Sequence, residues 1–249
     1  IEDFGQSTRI DENNQVAKNN LAGARRKIGD LQQTVDDLSE KINKTNPQIT
    51  IIPNDQKQKV SNLYLERAIA KYELSTQPKG QKPARICKTS LNCNKVIDDL
   101  AISIQIDPNN AKSHRILGLT YRALENFDHA LISFNKSIEL NESDESSLSE
   151  RGWTYMEMLQ PDKALQDINE SITLNPQNNH TYRLRSWVLM SLGEWEKAKT
   201  DVKLLLNLYP QDPNLHYLLG LININSGLTE EGIQNISLAQ NLLGGISEP

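Results

Sequence analysis

The sequence repeats itself every 34 residues, and this period constrains the fold more than any other feature of the chain. We call a set of positions that are 34 residues apart a column. Two such columns consist of small residues. The first column is Gly118, Gly152, Ser186 and Gly220, and the second is Ala130, Ala164, Ala198 and Gly232. A third column holds Pro108, Glu142, Pro176 and Pro210. Columns that keep one register predict a single supersecondary unit that is stacked several times.

Each unit is predicted to be two antiparallel helices joined by a short turn. A small side chain in each column lets the two helices approach closely, whereas a large one would force them apart. The turns carry carboxylates near the start of the next helix, where the helix dipole favours negative charge. Proline then ends the unit, because it cannot continue a helix interior.

The segment from Ala111 to Asp144 resembles the tetratricopeptide repeat family. Five of its residues stand at signature positions of that family, namely Leu117, Gly118, Tyr121, Ala130 and Phe134. Two units of the same length follow, and a weaker fourth runs from Pro213 to about Ile246. Arg151 and Arg185 replace the large apolar residue of the signature, a departure that affects local packing but not the fold.

An earlier unit precedes these four. Residues 61–74 parallel a first helix with Ala68 in the glycine column, and residues 94–110 parallel a second helix. We interpret residues 75–91 as an insertion in the turn between them. The resemblance then covers about five units and implies a right-handed, all-α solenoid over residues 57–249.

The N-terminal segment, residues 1–56, carries apolar residues at a seven-residue spacing. One series is Leu21, Ile28, Val35 and Ile42, and the other is Ala24, Leu31 and Leu38. This pattern predicts a coiled-coil-like helix, and its branched and leucine positions favour a two-stranded homo-oligomer if the coil joins two chains. The alternative is a single amphipathic helix that folds back on the solenoid, and the sequence leaves both open.

Composition places the chain among soluble proteins. It has 249 residues, of which 37% are hydrophobic and 24% charged, and a net charge of -5. It lacks the run of about 18 apolar residues that reads as a transmembrane helix. The chain begins with Ile1 and not with Met, so we expect that an N-terminal signal or anchor has been removed, and the compartment stays open.

No catalytic, cofactor or metal site is expected from the sequence. The four histidines, His114, His129, His180 and His216, lack the spacing of metal ligands. Glycine-rich phosphate loops and a serine nucleophile elbow are missing. Cys87 and Cys93 are too few for a zinc site but could form a disulfide in an oxidising compartment. An enzyme that used either as a nucleophile would lack a nearby histidine base.

The resemblance implies that the first helices line a concave groove that binds a peptide or protein segment. The predicted lining is rich in aromatic, methionine and arginine side chains, which are types that bury large areas in binding sites. It consists of Arg115, Leu119, Arg122, Trp153, Met156, Arg183, Trp187, Met190 and Tyr217. We expect the aromatic and methionine side chains to contact the partner and the arginines to pair with its acids.

The predicted insertion is basic. Five cations and no acid lie between Ser75 and Val96, namely Lys79, Lys82, Arg85, Lys88 and Lys95. Such a loop could contact an anionic partner, but no aromatic residue interleaves the cations, and nucleic-acid binding is not expected.

The sequence therefore predicts a non-catalytic protein–protein interaction scaffold and leaves the identity of its partner open. The alternative is a structural assembly subunit. It would self-associate through the N-terminal helix and through the apolar end of the last helix, which carries Ile236, Leu242 and Leu243.

Overall fold

The computed structural model describes residues 29–30, 32–44, 52–75 and 91–244, and within these ranges all regular structure is helical. The helices are α1 (residues 32–44), α2 (Asn54–Ser75), α3 (Leu91–Ile106), α4 (Ala111–Ala123), α5 (Phe127–Leu140), α6 (Glu145–Glu157), α7 (Pro161–Leu174), α8 (Asn179–Ser191), α9 (Trp195–Leu208), α10 (Pro213–Asn225) and α11 (Thr229–Gly244).

The helices belong to two compact units that meet in sequence at Asn141 and Glu142. In the first unit, α2 pairs with α3 and α4 with α5. In the second, α6 pairs with α7, α8 with α9 and α10 with α11. These five helix pairs confirm the predicted all-α fold of helix-turn-helix repeats. The first of them begins at Asn54, three residues before the predicted boundary at residue 57.

The two small columns lie where the helices of one pair touch. A Cβ atom added to Gly118 would come within 2.7 Å of the Phe134 ring, and one added to Gly152 would lie 2.9 Å from Ile168. A Cβ atom added to Gly220 would lie 2.6 Å from the Ile236 side chain and 2.8 Å from the Gly232 carbonyl oxygen, so there the backbone is an obstacle as well. Ordinary contacts of a Cβ atom are longer than these, so a larger residue would separate the helices.

A further column of the same period sets the turn inside each pair. Four residues adopt left-handed backbone angles: Glu125 (φ 59°), Leu159 (φ 58°), Gly193 (φ 75°) and Gly227 (φ 90°). The next residue then donates its amide hydrogen back to the first helix, as from Gln160 to the Tyr155 carbonyl at 2.9 Å. Glycine adopts this conformation freely, whereas a residue with a side chain is strained there.

Asparagine and aspartate cap the first helices of four repeats. Asn110, Asp144, Asn178 and Asp212 precede α4, α6, α8 and α10, and each side chain accepts a hydrogen bond from a backbone amide of the first turn. These residues satisfy amides that otherwise have no partner within the helix. They also form a column of the 34-residue period.

The arginines that depart from the family signature form ion pairs within their own repeats. Arg151 on α6 donates two hydrogen bonds to Asp167 on α7, both of 2.7 Å. Arg185 on α8 binds Asp201 on α9 in the same way, at 2.8 and 2.7 Å. The hydrogen bond from Asp167 raises the pKa of the Arg151 guanidinium above its ordinary value. The two aspartates are buried, so each pair is a bidentate contact across the helix interface.

The first repeat contains the same kind of pair. Arg67 on α2 donates to both carboxylate oxygens of Asp99 on α3, at 2.9 and 2.6 Å, and Lys71 adds a third contact of 2.6 Å. The second repeat has Leu117 and Ser133 at the two corresponding positions. The same place in the helix pair therefore accepts either an ion pair or an uncharged pair.

The described part of the N-terminal segment packs on the first repeat. Leu38 and Ile42 of α1 are buried, and Ile42 belongs to a cluster with Val60, Tyr64 and Ile106. Arg67 also donates to the Ser39 hydroxyl at 3.3 Å. These contacts favour the alternative in which the helix folds back on its own chain. The heptad residues Leu21, Ala24, Ile28 and Leu31 lie outside the described residues, so the homo-oligomer stays a prediction.

Helices α2 and α3 flank the predicted basic insertion, since α2 ends at Ser75 and α3 begins at Leu91. Residues 76–90, which contain Cys87 and four of the five cations, lie outside the described residues. Cys93 lies in α3 and is fully buried. The Cys87–Cys93 disulfide stays a prediction.

The ion pair of the third repeat can be tested against the uncharged pair of the second. Arg151→Leu leaves the buried Asp167 carboxylate without its guanidinium, and we expect a loss of about 3 kcal/mol in the free energy of unfolding. Arg151→Leu with Asp167→Ser recreates the natural Leu117 and Ser133 pair and should recover most of that loss. Urea unfolding followed by circular dichroism measures both variants. A double variant that is less stable than the single one would contradict this account.

The turn column predicts opposite effects of glycine at equivalent positions. Leu159→Gly should raise the free energy of unfolding by about 1 kcal/mol, because it removes a strained left-handed residue. Gly193→Ala should lower it by a similar amount. Leu159 is 86% exposed, so Leu159→Ala is the control: it shortens the side chain but keeps the strain, and it should not stabilise. The measurement is urea unfolding of the three variants.

Candidate binding surface on the first helices

Six predicted binding residues lie on the first helices of the second unit. We call them the candidate face: Trp153 and Met156 on α6, Arg183, Trp187 and Met190 on α8, and Tyr217 on α10. The 34-residue period relates Trp153 to Trp187, Met156 to Met190 and Arg183 to Tyr217. Helices α6 and α8 touch each other. One contact is the hydrogen bond of 3.6 Å from the Ser191 hydroxyl to the Met156 sulfur.

The aromatic residues of the candidate face differ in exposure. Trp153 is half-buried and packs against a cluster formed by Ala164, Ile168, Leu184 and Val188. Trp187 and Tyr217, in contrast, are 37% and 48% exposed. Trp153 therefore serves the core in part, whereas Trp187 and Tyr217 leave much of their surface open to contact.

The two methionines are half-buried. Met156 packs against the same cluster as Trp153, and Met190 packs against a neighbouring cluster that includes Leu189, Leu215 and Leu218. A methionine that is anchored at its base can still adapt its flexible end to a ligand.

Arg183 is held by an aspartate of its own chain. Its Nη2 donates to Oδ2 of Asp212 at 2.8 Å. The other oxygen of Asp212 accepts the backbone amide of Asn214, also at 2.8 Å, and so caps α10. Burial opposes the ionisation of Asp212, but the hydrogen bonds from Asn214 and Arg183 outweigh it, so the pKa of this carboxyl is lowered.

A second hydrogen bond joins the same parts of the chain. The Asn179 side chain at the start of α8 donates to the Tyr209 hydroxyl at 3.0 Å. Together with the Arg183–Asp212 pair, it ties the first two turns of α8 to the loop ahead of α10. The orientation of Arg183 is therefore fixed from within the protein.

The other predicted binding residues lie in the first unit, on α4. Arg115, Leu119 and Arg122 are all half-buried there. Leu119 packs against a core cluster that contains Leu65 and Leu100. Leu119 therefore has a packing role in addition to any role in binding.

Three of the four histidines bind neighbouring loop or cap atoms through their rings. The rings of His114 and His216 hydrogen-bond the carbonyls of Pro108 and Pro210, at 3.2 and 2.8 Å. His129 contacts the cap residue Asn126 at 2.8 Å. Burial lowers the pKa of His114, and nearby Lys136 adds to the shift. These contacts assign the three rings to local structure.

The described residues contain neither a candidate metal site nor a candidate membrane-spanning helix. No group of three histidine, cysteine, aspartate or glutamate residues there could hold a metal ion. None of the helices formed by those residues combines the length and the apolar character needed to cross a bilayer.

Nothing in the sequence pattern identified Asp212 as the partner of Arg183. The two residues are 29 positions apart and meet only because the loop ahead of α10 passes the start of α8. The Arg–Asp pairs inside the repeats had a clearer signal, because an aspartate follows Arg151 and Arg185 after the same interval of 16 residues.

The helix pairs and the candidate face define the class of the chain as a helical repeat protein. A family model described as tetratricopeptide repeat matches residues 111–144 and 146–178. The match identifies two tetratricopeptide repeats within the chain.

Solved structures share the fold at low sequence identity. MamA 41-end from Desulfovibrio magneticus RS-1 is 14% identical, with a TM-score of 0.62 over 77% of this chain and 98% of that one. YrrB, described as a TPR protein with an unusual peptide-binding site, is 14% identical, with a TM-score of 0.59 over 80% and 94%. PilW, a type IV pilus biogenesis factor, is 14% identical, with a TM-score of 0.63 over 76% and 80%. These likenesses show the fold. A search of curated proteins found no match.

The Arg183–Asp212 pair should make part of the free energy of unfolding depend on pH. Because the pKa of Asp212 is lowered on folding, its ionised form stabilises the protein above the unfolded pKa of about 3.9, and this contribution disappears as the pH falls through the folded pKa. Asp212→Asn should lower the free energy of unfolding by less than about 1 kcal/mol at pH 7, since Arg183 is partly exposed. At pH 3 the difference should be smaller. Urea unfolding at the two pH values tests this, and a loss that grows on acidification would contradict it.

Proposed function

We propose that the chain is a non-catalytic protein-interaction scaffold whose first helices bind an extended or helical segment of a partner protein. The observation that carries the proposal is the exposure of Trp187 and Tyr217 on the first helices of neighbouring repeats. The half-buried Met156 and Met190 lie on the first helices α6 and α8. Large aromatic side chains bury much area at little cost in conformational entropy, and they dominate binding energy at interfaces.

The fold and the sequence support a recognition role over a chemical one. The rings of His114, His129 and His216 hydrogen-bond loop carbonyls and a helix cap, which is a structural use of these side chains. YrrB, which has the same fold, is described as having a peptide-binding site. We extend to this chain only the class of ligand, a peptide or protein segment, and leave its sequence open.

The test is a pair of matched double variants. Peptides that bind the purified chain are first selected from a displayed library and then titrated by fluorescence anisotropy. Trp187→Ala with Tyr217→Ala should weaken their binding at least about tenfold, the equivalent of 1.4 kcal/mol. The control is Leu204→Ala with Leu208→Ala, which removes comparably exposed apolar side chains from the second helix α9. Equal losses in the two double variants, at unchanged helicity, would refute the proposed face.

A structural assembly subunit remains the alternative. The last helix, α11, exposes Ile233, Leu238 and Leu243, with Leu243 open over 72% of its surface. Light scattering over a range of concentrations distinguishes the two functions. A mass that rises with concentration in the full chain, and not in Leu243→Glu, would favour assembly through this helix.

A further inference from the structure

The candidate face carries one charged residue among its six, and that charge is already neutralised. Arg183 donates to Asp212 at 2.8 Å, while the remaining residues are tryptophan, methionine and tyrosine. The sequence pattern predicts that Arg183 pairs with acids of the partner. In the structure its guanidinium has an acid of its own chain, so the face presents aromatic and thioether surface beside an internal ion pair.

Asp212 is a fixed counterion. Its Oδ1 accepts the Asn214 amide and caps α10, so the carboxylate is held by the helix it starts as well as by Arg183. A carboxylate of an incoming segment would either displace Asp212 from Arg183 or share the guanidinium with it. In both cases Asp212 stays close by as a like charge, which opposes the binding of the carboxylate.

We propose that Asp212 is a specificity-determining residue of the candidate face. By pairing with Arg183 it disfavours acidic segments and leaves Trp187 and Tyr217 to bind an uncharged segment with aliphatic or aromatic side chains. This inference rests on the proposed function of the face. It names the chemical class of the partner that the exposed residues fit.

Asp212→Asn isolates the charge from the cap. Asparagine caps helices about as well as aspartate, so α10 keeps its first turn, while Arg183 loses its counterion. The control variant adds Arg183→Gln and so removes the cation as well. Serine also favours the cap position, so Asp212→Ser is a second variant in which Arg183 has lost its counterion. It serves if Asp212→Asn folds poorly.

The probes are two short dye-labelled peptides with the same leucine and phenylalanine positions. The neutral peptide has serine and asparagine between them, and the acidic peptide has aspartate at half of those places. Fluorescence anisotropy on the full chain should show at least about tenfold tighter binding of the neutral peptide. Asp212→Asn should reduce this preference about tenfold, in a salt-dependent way, and the double variant should restore it.

The possible outcomes distinguish a failure of the role proposed for Asp212 from a failure of the proposed binding function. Equal or tighter binding of the acidic peptide by the unmodified chain would overturn the role of Asp212 and leave the face as a binding site. An unchanged preference in both Asp212→Asn and Asp212→Ser would do the same. If neither peptide bound the unmodified chain, and library-selected peptides were indifferent to Trp187→Ala with Tyr217→Ala, the proposed function itself would fail.

Discussion

The close approach of the two helices in each repeat is the constraint on which the rest of the structure depends. At Gly220 and Gly232 the backbone of one helix stands where a side chain of the other would be. This distance brings the pairs across the interface into reach, including the bidentate contacts of Arg151 and Arg185. It also fixes the spacing of the turn. The geometry of a repeat is therefore set by the contacts within its own pair of helices.

The interface inside a repeat tolerates different chemistry so long as its geometry is kept. An arginine and an aspartate occupy it in three repeats, whereas Leu117 and Ser133 occupy it in another. Replacing a buried ion pair by an uncharged pair of similar volume is often close to neutral, while removing one partner is costly. An ion pair and an uncharged pair can thus fill the same place between the two helices. Both arrangements need the small residues that let the helices approach.

The helix pairs could be predicted from the sequence, whereas the conformation of the turns and the contacts that occur once could not. The 34-residue period predicted the helix pairs, because small residues at a close contact recur from unit to unit. It did not reveal the left-handed turn column, since Glu125 and Leu159 carry no sign of that conformation. Nor could it separate Trp153 from Trp187, which share a column but differ in what packs beside them. The contact of Arg183 with Asp212 depends on a single loop, and no periodicity encodes it.

Binding chemistry can therefore change at positions that the fold treats as equivalent. The cap column accepts asparagine at Asn178 and aspartate at Asp212, and either residue satisfies the first turn of the helix. An aspartate that caps a helix with one carboxylate oxygen still has a second, charged oxygen, and in Asp212 this oxygen accepts the hydrogen bond from Arg183. Asparagine at the same place would present a neutral amide and leave the guanidinium to the surroundings. A choice that costs the helix almost nothing thus sets the charge beside the candidate face. Under the proposed function, such a change would alter the specificity of a repeat scaffold without altering its fold.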